Sequence, residues 1–139
     1  EHPVSSLDLA PTMAALAGAT MPTGRPMDGV NLMPYLLGER TDPPHAVLFW
    51  RQQGSRPWAI RAGPLKLLAS VGQGEPELYD LAADLGERRD LAAERPADVH
   101  ALRAQWEAWN AQLVPPKWES PRAGQPRREG RGAPRPTAR

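Results

Sequence analysis

Val99, Leu102, Trp106, Trp109 and Leu113 recur at intervals of +3, +4, +3 and +4, and no other spacing in the chain restricts its fold as much. At 3.6 residues per turn these side chains line one edge of an α-helix, so the spacing predicts a helix from about Pro96 to Leu113. Pro96 suits the first turn, where its missing N–H has no intrahelical acceptor to lose. Asp98, Arg103, Glu107 and Gln112 occupy the opposite, solvated face. A stripe holding two tryptophans needs an apolar surface to cover, and two tryptophans in one stripe point to core packing rather than a cofactor site.

The residues before it supply that surface. Ala46 to Arg51 is apolar and partly β-branched or aromatic, and Trp58 to Arg61 and Leu65 to Leu68 flank Ala62-Gly63-Pro64, a tight turn between two strands. Alternation turns Lys66 to the face opposite Leu65 and Leu67. A fourth strand is expected at Glu77 to Leu81. Short strands in sequence joined by turns favour an antiparallel sheet, so the expected fold is α+β: four antiparallel strands packed by a long C-terminal helix across residues 46 to 114.

Upstream, Ser5, Ser6 and Asp8 are capping candidates ahead of Leu9, Met13, Leu16 and Ala17, which predicts a short buried helix starting near Asp8 and stopping near Gly18. Pro11 is tolerated early in such a helix. A connector rich in Pro and Gly follows to residue 45, with a turn at Asp28-Gly29 and room for a turn or two of helix from Leu32 to Leu37. From Pro115 to Arg139 there are 6 Pro and 3 Gly, and Trp118 is the sole large apolar side chain. That segment carries +5 within a chain of net charge +1, and its composition predicts a disordered basic tail. The chain has 139 residues and starts at Glu1, which suggests a piece of a longer protein. An exported parent, periplasmic or secreted, would carry its signal before Glu1.

Chemistry-bearing motifs are sparse. The chain has no Cys, so disulfides, thiolate metal sites and a cysteine nucleophile are excluded within it. His2, His45 and His100 lie far apart without paired metal spacing, and each is read as structural. Asp80, Asp84, Glu87 and Asp90 do not follow a calcium-loop spacing; Asp84 with Glu87 three residues on reads as a capping box. No apolar run is long enough to span a bilayer. The tail binds acidic surfaces at most nonspecifically, with no specific nucleic-acid platform. Arg51, Arg56 and Arg61 interleave with Trp50 and Trp58, a combination able to hold an anionic ring or sulfated sugar by charge and stacking; Arg51, Arg56 and Trp58 are the substrate-binding candidates. The bland reading of the same residues is a solvated strand edge. No catalytic residue and no metal ligand is assigned.

Leu78-Tyr79-Asp80-Leu81, followed by Asp84-Leu85-Gly86-Glu87 and Asp90-Leu91, closely resembles the C-terminal pattern of sulfatases, with Leu85 in place of the usual Pro and Asp90 in place of the usual Asn. Ser6-Leu7-Asp8-Leu9-Ala10-Pro11-Thr12, Asp28-Gly29-Val30-Asn31-Leu32 and Arg61-Ala62-Gly63-Pro64-Leu65-Lys66 agree in family order. The resemblance implies that residues 1 to 45 end a large α/β domain lying mostly upstream and that residues 46 to 114 form the smaller C-terminal subdomain. It also implies a parent that hydrolyses sulfate esters with a formylglycine nucleophile and calcium, both held upstream, so that this chain alone is inactive. A related phosphodiesterase or phosphonate monoester hydrolase is the second reading. A noncatalytic module binding acidic polymers is the third.

Overall fold

The computed structural model describes residues 2–20, 24, 27–52, 57–70 and 74–115. The basic tail expected after Pro115 lies outside the described residues.

Four strands, β1 (Val47–Arg51), β2 (Trp58–Ala62), β3 (Leu65–Ala69) and β4 (Glu77–Asp80), form one antiparallel sheet in the order β1-β2-β3-β4. Ala62 pairs with Leu65 across a two-residue turn, Gly63-Pro64. Gly63 has φ +55. A positive φ at the first turn position with proline at the second matches a type II′ hairpin, whose twist suits the strands it joins.

Strand alternation then sorts the side chains into two faces. Phe49, Trp58, Ile60, Leu67, Ala69 and Leu78 point to one side and meet the helix α3 (Pro96–Asn110). Leu102 and Trp106 of that helix are buried among them, with Val99 and Trp109 packed at the margin. The contact is aromatic: Trp58 stacks on Trp106 at 4.5 Å and Phe49 on Trp109 at 4.8 Å. The Trp106 indole N–H donates to the Trp50 carbonyl at 3.2 Å, so the buried ring leaves no unpaired donor.

The helix ends at Asn110, three residues before the expected Leu113, which is exposed. Pro115 and Pro116 disfavour a continued helix, and Arg51 fixes the chain there by donating to Asn110 Oδ1 (2.9 Å) and to the Val114 carbonyl (3.1 Å). At the other end, Asp90 Oδ1 accepts from Leu78 N and Ala92 N, each at 2.9 Å, and pins the connector between β4 and α3 against the sheet.

Before the sheet stand a 3-10 turn (Ser6–Asp8), α1 (Leu9–Leu16) and α2 (Met33–Leu36). α1 is present where expected but is not buried within this chain: Leu9, Met13 and Leu16 are 61%, 64% and 60% exposed. Its buried side is polar, formed by Thr12 and by Asp8 just before it. Among the described residues no helix is long and apolar enough to cross a membrane.

Candidate functional site

Two places bring polar groups together. The first is centred on Asp8, which is fully buried. Ser5 caps the 3-10 turn through Ser5 Oγ, and Asp8 Oδ2 accepts from Ser5 N at 2.7 Å, completing a capping box. Asp8 Oδ1 accepts from Val30 N at 2.9 Å, and His45 Nε2 lies 2.8 and 2.9 Å from the two carboxylate oxygens. Thr12 Oγ1 donates to the Asp8 carbonyl at 2.6 Å and accepts from Leu32 N at 2.9 Å. Burial alone would raise Asp8, yet the hydrogen bonds from Ser5, Val30 and His45 hold its carboxyl below the usual carboxylate range. A methyl group at Gly29 would stand 2.0 Å from the Leu7 carbonyl oxygen, so only glycine lets the Asp28-Gly29-Val30 turn lie this close to Asp8. Segments from three parts of the chain therefore meet on one carboxylate beside the entrance to β1.

The second is the sheet face that α3 leaves open. Cross-strand register aligns Trp50, Ala59, Leu68 and Glu77 in one row and Leu48, Arg61, Lys66 and Tyr79 in the next. The loop after β4 folds over this face and brings Glu87, at φ +52, to Lys66 Nζ at 2.6 Å. Burial, then the neighbouring Glu77 carboxylate, pushes the Tyr79 phenol up. Two adjoining grooves open here. One of about 480 Å³ runs between His2, Pro3, Pro43 and His45 on one side and Arg61, Pro64 and Leu81 on the other. The second, about 460 Å³, is lined by Trp50, Ala59, Arg61, Lys66, Leu85 and Glu87.

Of the substrate-binding set read from the sequence, Arg51 and Trp58 are cross-strand partners on β1 and β2, and each is engaged within the fold. Trp58 is 7% exposed and stacked in the core, so its ring offers no face to a ligand from solvent. Arg51 is engaged at the end of α3, and Arg56 lies outside the described residues. Trp50 and Arg61, from the wider cluster, do share the open face. Asp84 is a local anchor, its Oδ2 accepting from Arg88 N (2.6 Å) and Arg89 N (2.9 Å), but Glu87 does not complete a capping box because it pairs with Lys66 instead. His2 and His100 are exposed; His45 has the structural role just described. Sequence reasoning missed the Asp8 cluster, and its one visible signal was the pair of motifs at 6 to 12 and 28 to 32. Among the described residues no three His, Cys, Asp or Glu side chains stand together as metal ligands.

Comparison with known proteins places this arrangement. No family model matches the chain. Mouse steryl-sulfatase is 33% identical over 82% of this chain and 24% of its own length, and human arylsulfatase A is 34% identical over 78% of this chain and 27% of its own length. The chain thus spans about a quarter of the length of these relatives. The crystal structure of Ps i-CgsB superposes with a TM-score of 0.69 at 31% identity, covering 85% of this chain and 26% of that one. With the four-stranded sheet, its covering helix and the ordered motifs in place, this chain belongs to the sulfatase family, as the C-terminal portion of a sulfatase.

Proposed function

We propose that the chain completes an enzyme that hydrolyses sulfuric esters, and that it does so as the support for a catalytic α/β portion lying outside it. The observation that carries this reading is the similarity to steryl-sulfatase and arylsulfatase A across some four-fifths of the chain, at about a quarter of their length. The division at residue 45, with 1–45 closing the α/β domain and 46–114 forming the subdomain, belongs to the same proposal. It is supported by the three exposed apolar residues of α1, which have a partner if that domain is upstream. Formylglycine and calcium would be supplied by that upstream portion, since this chain contains no Cys/Ser-x-Pro-x-Arg segment. The substrate is a sulfate ester, and Arg56 stays a candidate contact to it.

The test is reconstitution. The 139-residue chain and the upstream portion of its gene are produced separately and together and assayed with an aryl sulfate. Turnover is expected only from the combination. Turnover by the chain alone, or an upstream portion fully active without it, refutes the proposal.

A further inference from the structure

We propose that Asp28-Gly29 is a modification site: the bond between these residues isomerises to a β-linked isoaspartate, the hydrogen-bonded clasp around Asp8 holds that reaction back, and the product no longer fits the clasp. This is the one Asp-Gly or Asn-Gly pair in the sequence. The chemistry needs no reagent but water. Gly29 N attacks Asp28 Cγ, the amide hydrogen and the carboxyl OH leave as water, and a five-membered succinimide ring closes. Water then adds at the Asp28 backbone carbonyl carbon and breaks its bond to Gly29 N. The chain afterwards runs through Cγ, and the former backbone carbonyl is a free carboxyl. Glycine at the second position removes the side chain that would obstruct the attack and lets the backbone reach the conformation that ring closure requires.

The fold sets both the restraint and the consequence. Val30 N donates to Asp8 Oδ1 at 2.9 Å and Leu32 N to Thr12 Oγ1 at 2.9 Å, which fixes the chain directly after Gly29. Gly29 itself lies against the 3-10 turn so closely that a carbon in the Cβ position would stand 2.0 Å from the Leu7 carbonyl oxygen and 2.9 Å from Asp8 N. Ring closure has to swing Gly29 N toward Asp28 Cγ, and that rotation draws Val30 N away from Asp8. The reaction therefore runs from the opened clasp, at a rate set by how often it opens. The β-linkage then lengthens the backbone by one methylene between Asp28 and Gly29. A backbone one atom longer cannot keep Gly29 in its gap beside Leu7 and Val30 N on Asp8 at once, so isomerisation turns a reversible opening into a permanent one. Leu7, Asp8, Val30 and His45 all belong to this chain, and the restraint does not depend on which surfaces the upstream portion covers. The inference is independent of the sulfatase reading and stands or falls whatever the parent hydrolyses.

The experiment is storage of the 139-residue chain at neutral pH. Samples are mapped by digestion and electron-transfer fragmentation, which separates aspartate from isoaspartate, and are counted by methyl transfer from S-adenosylmethionine with an isoaspartate O-methyltransferase. A synthetic peptide of residues 26–32 supplies the unrestrained rate. Isoaspartate is expected at residue 28 in both, forming at least about fivefold more slowly in the folded chain, since one hydrogen bond to a carboxylate is worth that factor or more. Asp8→Asn should move the chain toward the peptide rate while the Leu67 and Leu78 amides stay protected, and His45→Gln is the second variant should the first not fold. Asp28→Glu should yield no isomerised product, because its ring would need six members. In the modified fraction the Val30 amide should exchange fast with the sheet unaffected. No isoaspartate at residue 28, a folded chain as fast as the peptide, an unchanged rate in both clasp variants, or a modified fraction that keeps Val30 protected would overturn the proposal.

Discussion

Asp8 accepts from two backbone amides and a histidine at full burial. Asp8→Asn keeps the shape but turns an amide NH₂ toward at least one of those donors, which should destabilise the segment by about 1–3 kcal/mol. Because the folded carboxyl lies below its ordinary 3.8, its contribution is complete above that value and is lost as pH falls through the lower folded one. Amide exchange at Val30 and Leu32 should therefore accelerate on acidification in the parent chain, and the variant should exchange fast with a weaker pH response. A parent chain whose Val30 and Leu32 amides ignore acid would contradict this. Gly29→Ala should be as damaging, since the added carbon meets the Leu7 backbone and not a yielding side chain. Only the capping role of Ser5 and Asp8 and the turn at Asp28-Gly29 were legible at the level of single residues. His45 is 37 positions from Asp8, and no local pattern reports a contact that only the folded chain creates.

Elements were more legible because their signals are periodic. The four strands fall within a residue of their expected ends, and Lys66 points away from the core as alternation requires. The apolar stripe overextends the long helix because Leu113 keeps its spacing while Pro115 and the Arg51 contacts close the helix earlier. The Arg and Trp cluster is divided between the two faces for a related reason. Composition groups Trp58 and Arg51 with Trp50 and Arg61, but strand period places them on opposite faces, and residue 58 faces α3. Trp106→Ala removes the ring stacked on Trp58 and a hydrogen bond to the β1 backbone, and should cost about 3–5 kcal/mol. Denaturant unfolding followed by tryptophan fluorescence measures it. A loss under about 1 kcal/mol would mean that α3 is not the lid of this core.

At the scale of the molecule, apolar surface is distributed unevenly. The sheet and α3 enclose Ile60, Leu67, Leu78, Leu102 and Trp106, whereas Val4, Leu7, Leu9, Met13, Leu16, Leu36 and Leu37 before the sheet are all exposed. Burial is what offsets ordering entropy, so the two regions should differ in local stability within the same chain. A core of this size seldom supplies more than about 3–5 kcal/mol, and the segment before the sheet is secured chiefly by hydrogen bonds around Asp8 and Thr12, each worth about 1 kcal/mol net. Hydrogen exchange by NMR should then show slow amides in β2, β3 and α3 and fast ones from Leu9 to Ala19, with Val30 and Leu32 between them because they donate to Asp8 and Thr12. Adding the upstream portion should slow the α1 amides selectively, as Leu9, Met13 and Leu16 gain a surface to cover. Equal protection throughout the isolated chain would show that α1 needs no partner, and an α1 that stays fast with the upstream portion present would show that this portion is not its partner.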